Sequence, residues 1–202
     1  MRAVNTGYAL ADRFGLTPWE RYGTVAAASI GALLDREEAE RSRPLGRAVD
    51  LGCGRGQKSR ELARRGWEVV GIDNVPRAIE AANHSGVPGA TFMVGDVTDL
   101  ERADLGTFDF FLDVGCFQHL DTEQRLSVGR GVSALANPRA TLLMLEFDAT
   151  RMRSVVGGVT RAEVESAFPG WEMLWAERAD TTGLGWPLAK TAPQWYRFRR
   201  KA

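Results

Sequence analysis

The chain has 202 residues, 44% hydrophobic and 26% charged, and its 26 basic and 26 acidic side chains cancel to a net charge of zero. That length buries the core of one ordinary domain and is short for two. The charge balance excludes a general attraction to nucleic acid, and no apolar run reaches the ~18 residues that span a membrane.

Residues 1–45 precede the first strand pattern and contain Thr17-Pro18-Trp19-Glu20-Arg21-Tyr22-Gly23. Met1 to Gly7 lacks the apolar centre of a secretion signal, so the expected location is the cytoplasm. Val49-Asp50-Leu51-Gly52-Cys53-Gly54-Arg55-Gly56-Gln57 reads as a strand, a tight turn and a helix start. Gly52, Gly54 and Gly56 lack a Cβ, so the backbone can bend sharply there and approach a ligand closely. A helix over Ser59 to Arg65 and a strand over Trp67 to Ile72 complete one βαβ unit. Asp73 ends that strand about 20 residues past the first glycine, where an acid accepts hydrogen bonds from a ribose in nucleotide-binding folds. Pro76 opens a helix over Arg77 to Asn83, and Thr91 to Val94 forms the third strand. Phe108 to Asp113 is the fourth. Asp121-Thr122-Glu123-Gln124 has the spacing of a capping box, which starts a helix running to about Leu135. Leu142 to Phe147 is a near-continuous apolar run, as a strand buried on both faces requires. A helix over Thr160 to Phe168 and strands over Trp171 to Ala179 and Gln194 to Arg199 follow. Cys53 and Cys116 fall on predicted loops and read as free thiols, with neither a disulfide framework nor a metal site.

The turn is G-x-G-x-G preceded by an acid, whereas a dinucleotide site uses G-x-G-x-x-G. Asp50-Leu-Gly-Cys-Gly-Arg-Gly resembles motif I of the class I S-adenosylmethionine-dependent methyltransferases. The resemblance continues through Ile72-Asp73, similar to the ribose-binding motif II, and Gly95-Asp96-Val97, similar to the adenine loop. It ends in Phe108-Asp109-Phe110-Phe111-Leu112-Asp113, similar to motif IV, so the four motifs cover about residues 46 to 147. An acid ahead of the glycines suits a sulfonium and would repel a pyrophosphate. Pro18-Trp19-Glu20 and Leu112-Asp113-Val114-Gly115-Cys116-Phe117-Gln118-His119 further resemble the thiopurine and tellurite-resistance methyltransferases.

The resemblance implies an α/β fold: a Rossmann-like doubly wound sheet of seven strands, order 3-2-1-4-5-7-6, with helices on both faces. The chain is expected to form a single domain, 1–202, with a helical lid over 1–45, a cofactor-binding core over 46–147 and acceptor-side loops in 148–202. The implied cofactor is S-adenosyl-L-methionine, held by Trp19, Asp50, Gly52, Cys53, Gly54, Gly56, Asp73, Asn74, Asp96, Val97, Asp113 and Val114. The implied partner is a small methyl acceptor presenting S, O or N, rather than a nucleic acid or a membrane. The Asn/Asp-Pro-Pro-Tyr form of motif IV is absent, which disfavours DNA adenine and protein glutamine as acceptors.

Methyl transfer from a sulfonium asks mainly for positioning. His119 is the candidate base for a hydroxyl acceptor, and its other reading is a hydrogen bond to a loop carbonyl. Asp113 either holds the cofactor's methionine end, orients the acceptor, or caps nearby amides. Trp19 either lies on the cofactor or packs on the sheet edge. Cys116 reads as substrate contact or small apolar packing, Arg55 and Lys58 as cofactor contacts or solvated side chains, and His84 as a cation at a helix end without catalytic role. Phe117 to Leu120, Asp148 to Gly158 and Asp180 to Pro193 follow strand ends and are candidate acceptor-side segments. Methylation of a macromolecule, a nicotinamide dehydrogenase and a non-catalytic nucleoside-binding protein are the competing functions.

Overall fold

Alternating apolar runs and glycine turns fold into the elements their patterns predict in a computed structural model, which describes residues 27–149, 157–181 and 192–201. In chain order these are α1 (Ala27–Ala39), β1 (Arg47–Leu51), α2 (Gln57–Arg65), β2 (Glu68–Asp73), α3 (Pro76–His84), β3 (Ala90–Val94), β4 (Phe108–Val114), α4 (Thr122–Leu135), β5 (Ala136–Phe147), α5 (Arg161–Ala167), β6 (Trp171–Arg178) and β7 (Pro193–Arg200). The described residues divide between two compact units. One holds α1, residues 40–42 and residues 180–181; within it Arg41 donates to Glu37 Oε1 one helical turn back, at 2.6 Å. The other holds residues 43–149, 157–179 and 192–201 and contains the whole sheet.

The seven strands take the order β3-β2-β1-β4-β5-β7-β6, as the resemblance implies. β3, β2, β1, β4 and β5 run parallel, and β7 lies antiparallel between β5 and β6. The order reverses between β1 and β4, so a crevice opens at the carboxyl ends of those strands, where open α/β sheets bind ligands.

Both faces of the sheet are covered. On one, Val49, Phe111, Leu142, Met144 and Phe198 pack with Val128 and Val132 of α4 and Val164 of α5. Aromatic rings stitch that layer together: Phe168 sits 5.8 Å from Phe117, 5.7 Å from Phe198 and 6.2 Å from Trp171, centroid to centroid. On the other face, a Cβ at Gly56 would collide with the Phe92 ring of β3 and lie 3.2 Å from Ala82 Cβ of α3, so α2 and α3 close together over β3 only because that residue is glycine. Trp67 and Phe110 pair at 5.2 Å.

Helix ends follow the sequence signals. Asp121 Oδ1 accepts from Gln124 N while Gln124 Oε1 accepts from Asp121 N, both at 2.9 Å, so the capping box forms as read. Thr160 and Glu163 build a second box at the start of α5. Two short 3-10 turns, Val97–Arg102 and Phe117–His119, replace what read as open loop. Asp96 nucleates the first by accepting from Thr98 N at 2.9 Å. β5 starts earlier than Leu142: Ala136 pairs with Phe108, then the register slips across Asn137-Pro138-Arg139, where Arg139 takes a left-handed φ of 64°, before Thr141 pairs with Phe110. Polar residues and a proline hide such a broken strand start from a hydrophobicity pattern.

α4 crosses α5 at Gly129, where a Cβ would drive into the Ala167 carbonyl oxygen and lie 2.8 Å from its carbon. Gly129→Ala is predicted to cost ~1–3 kcal/mol, because backbone rather than a pliable side chain must yield. Thermal unfolding should show a lower midpoint than wild type, while Gly170→Ala, with nothing among the described residues within 4 Å of its Cβ position, should match wild type. Equal midpoints for the two variants would contradict this packing.

Candidate functional site

The three glycines of the turn after β1 do different work, although all have left-handed φ angles of 68°, 53° and 75°. A Cβ at Gly52 would meet Cys116 Cβ at 2.7 Å, so Gly52 lets the turn after β4 approach the turn after β1. Gly56 admits the Phe92 ring, as described above. At Gly54 nothing among the described residues lies within 4 Å of the Cβ position, which leaves the backbone there bare of their side chains. Packing explains Gly52 and Gly56; the opening at Gly54 has the form of a cradle for a ligand.

Asp73 ties this turn to its surroundings. Its Oδ2 accepts from Gly54 N at 2.8 Å and its Oδ1 from Val75 N at 2.9 Å, while its backbone carbonyl accepts from Gly95 N at 3.0 Å. One residue thus gathers the turns after β1, β2 and β3. Exposed Asn74 follows directly, and Asp96 and buried Val97 stand at the end of the Gly95 turn. Asp50 points beneath the turn, 2% exposed, and accepts from Ser59 Oγ at 2.5 Å. Burial pushes its carboxyl up to about 6, against the pull of the Ser59 bond and the Lys58 charge. The Cys53 side chain turns away from the opening toward β2, where its Sγ lies 3.0 Å from a Cβ built on Gly71. Burial first, then the Asp50 and Asp73 charges, push its thiol far above the ordinary range.

On the β4 side, Asp113 is 1% exposed, and its Oδ1 accepts from Cys116 N at 2.8 Å and Phe117 N at 3.4 Å. Of its sequence readings, amide capping is the one these bonds display. Val114 follows, paired with Leu145 of β5. Glu146, wholly buried near the end of β5, accepts from Gln118 N at 2.9 Å and leaves the same face of the sheet as Asp113 of β4. Sequence reading missed Glu146; its signal was one acid inside the run Leu142-Leu143-Met144-Leu145-Glu146-Phe147. Cys116 packs against Gly52, and burial with the Asp113 and Glu146 charges raises its thiol well above the usual value.

Gln118 Oε1 accepts from Phe147 N, which turns its amide nitrogen toward His119 Nε2 at 3.1 Å. His119 Nε2 is therefore an acceptor and the ring proton sits on Nδ1. Burial, reinforced by Arg125, pulls the ring down to about 4, so it is neutral near pH 7. Arg125, 5% exposed, donates to the Phe117, Gln118 and Gly158 carbonyls and to Glu163 Oε1 at 2.9 Å, clamping this turn to α4 and α5. The structure thus brings Asp50, Gly52, Cys53, Gly54, Gly56, Asp73, Asn74, Asp96 and Val97 around the first three strand ends, with Asp113 and Val114 at the fourth. His119 stands beyond them against Gly157, and His84 ends α3. Arg55 is exposed on the turn itself, and Lys58 is half-buried beside Asp50. Trp19 lies outside the described residues, as do 150–156 and 182–191 of the acceptor-side segments.

The buried acids set a pH dependence. Asp50 holds its proton more tightly when folded, about 6 against 3.8, so its contribution to stability is complete below 3.8 and is lost as pH rises through about 6. His119 runs oppositely: its contribution is present above 6.5 and is lost as pH falls through about 4. Asp50→Asn keeps an oxygen for Ser59 and removes the ionisation, so denaturant midpoints measured across that window should fall less steeply with pH than in wild type. Parallel curves would contradict the assignment.

Residues 48–139 match the methyltransferase domain family. The chain is 31% identical over 113 residues to the 2-heptyl-1-hydroxyquinolin-4(1H)-one methyltransferase of Mycobacteroides abscessus, covering 54% of this chain and 49% of that one. It is 28% identical over 120 residues to a ubiquinone biosynthesis O-methyltransferase of Xanthomonas campestris, covering 58% and 49%. The chain spans about half the length of these relatives. Among solved structures, a methyltransferase from Anabaena variabilis aligns over 98% of this chain and 96% of its own with TM-score 0.73 at 15% identity. The magnesium protoporphyrin IX methyltransferase of Synechocystis aligns over 98% and 95% with TM-score 0.70 at 17% identity. With the strand order and the glycine turn, these similarities bear out the resemblance to the class I S-adenosylmethionine-dependent methyltransferases.

Proposed function

We propose that this chain transfers a methyl group from S-adenosylmethionine to an S, O or N atom of a small aromatic or heteroaromatic molecule. The observation that carries the reading is the open backbone cradle at Gly54, set beside the carboxyl groups of Asp50 and Asp73. Acidic surroundings attract a sulfonium and an ammonium and disfavour a diphosphate. When bound, S-adenosylmethionine supplies a methyl group already activated by its positive sulfur. The chain's own contribution is to hold and orient. In this reading the Gly52–Gly56 backbone cradles the cofactor, Asp73 accepts from the ribose with Asn74 beside it, and Asp96 and Val97 border the adenine. Asp113 and Val114 shape the floor between cofactor and acceptor, and Trp19 covers the cofactor from the N-terminal segment. A cytoplasmic location and a small-molecule partner belong to the same proposal.

His119 stands on the acceptor side with Nε2 facing the Gln118 amide. A ring whose pKa is about 4 is a weak base toward a phenol. Acceptors that ionise readily by themselves, such as thiols or acidic heteroaromatic hydroxyls, therefore suit this site best. The relative named for a hydroxyquinolinone supports that class as the first to test.

Incubation with methyl-labelled S-adenosylmethionine and a panel of hydroxyquinolines, phenols and aromatic thiols should label at least one product. Gly54→Ala should keep the fold at a cost of ~1–2 kcal/mol for its left-handed backbone, while weakening S-adenosylmethionine binding by about tenfold or more. The rate should level off at a pH that follows each acceptor's own ionisation. A profile that levels near pH 4 for every acceptor would instead make His119 the base, and unchanged cofactor binding by Gly54→Ala would remove the cradle from the site.

A further inference from the structure

Two carboxyl groups, on neighbouring parallel strands, meet inside the protein beneath the turn that follows β4. Asp113 and Glu146 are 1% and 0% exposed, and because Asp113 pairs with Met144, two residues before Glu146, both side chains leave the same face of the sheet. A bond between two carboxyls requires a proton on one of them, since an ionised carboxylate has no donor. Asp113 Oδ1 already accepts from two backbone N–H groups, Cys116 and Phe117, whereas Glu146 accepts from one, Gln118. More donors favour the charged form, so the negative charge rests on Asp113 and the proton on Glu146. The remaining oxygen supports this: treated as a carboxylate, Glu146 leaves Oε1 buried without a donor among the described residues, a costly state that protonation relieves.

The pair grips three consecutive amides, Cys116, Phe117 and Gln118, and so fixes the segment that carries His119. Gln118 completes the circuit by accepting from Phe147 N, next to Glu146, and directing its amide at His119. Among the described residues, the ionisable groups around Glu146 are Asp113 on β4, Cys116 in the turn, Arg125 on α4 and Tyr196 on β7. Arg125 is engaged with Glu163 and the Phe117, Gln118 and Gly158 carbonyls.

We propose that Glu146 is a positioning residue that works as a neutral acid: it donates to Asp113, accepts from Gln118 N, and holds the Cys116–His119 turn in the register that the acceptor site needs. It acts through the backbone of that turn and Gln118 rather than by touching a ligand. Loss of the shared proton would place two negative charges side by side and loosen the turn. The site is thereby set to work with one carboxyl charge beneath it, not two.

The role in turnover rests on the methyl-transfer reading, while the protonation state does not, and two measurements separate them. Infrared difference spectra of wild type minus Glu146→Gln at pH 7, without ligand, should contain a protonated carboxyl C=O band that moves on deuteration; its absence would overturn the proposal whatever the crevice binds. In turnover, Glu146→Gln keeps a donor for Asp113 and an acceptor for Gln118 N, whereas Glu146→Ala keeps neither. Glu146→Ala should lose roughly 10- to 100-fold in kcat with the calorimetric Kd for S-adenosylmethionine within about threefold of wild type. Glu146→Gln should restore most of that loss and should remove any fall in kcat at alkaline pH. Equal impairment of both variants, or equal loss of cofactor affinity in both, would overturn it. Absence of S-adenosylmethionine binding by wild type would defeat the functional reading and leave the infrared result standing.

Discussion

Asp73 is the tie on which the geometry of the crevice depends. A turn made of Gly52, Gly54 and Gly56 has almost no side chains with which to hold itself, and glycine gives up more backbone freedom on folding than any other residue. The Asp73 carboxylate offsets that freedom by accepting from Gly54 N and Val75 N, and its carbonyl fixes Gly95. Hydrogen bonds to a charged acceptor contribute roughly 1.5–3 kcal/mol each, several times a typical surface ion pair. The turns after β1, β2 and β3 thereby become one rigid rim, and the opening at Gly54 keeps its shape with no ligand to support it.

Around that rim the chain collects acids rather than bases. Asp50, Asp113 and Glu146 are all buried, and burial drives each carboxyl upward from its ordinary value. Asp50 and Asp113 oppose stability as they ionise, and the negative field they then create is one that a bound cation can use. A cationic sulfonium with an ammonium tail is the kind of ligand that benefits from it. Among the described residues Lys58 is the cation that acts on Asp50, and burial weakens its hold on its own proton.

Much of this architecture was legible because its signals are local. A strand running into Asp50 and three alternating glycines, followed by a second strand ending in Asp73, specifies a βαβ unit and a ligand-facing turn within a short window. The capping box at Asp121 and Gln124 is equally local. What stayed hidden depends on contacts between distant segments. Glu146 sits in an apolar run that reads as core strand, and its meaning comes only from lying beside Asp113 across β4 and β5. The weak basicity of His119 follows from burial, Arg125 and the orientation of Gln118, none of which a lone histidine after a strand reveals. The early start of β5 is obscured by Asn137, Pro138 and the left-handed Arg139, which break its pattern where the strand changes register.

In the proposed function, the backbone at Gly54, between Asp50 and Asp73, receives an adenosyl sulfonium and rejects a dinucleotide. Isothermal titration of the purified chain with S-adenosylmethionine and, separately, with NAD tests this most directly. Saturable one-to-one binding of S-adenosylmethionine is expected, with none of NAD in the same concentration range. Tighter binding of NAD, or no heat with S-adenosylmethionine at saturating concentration, would contradict it.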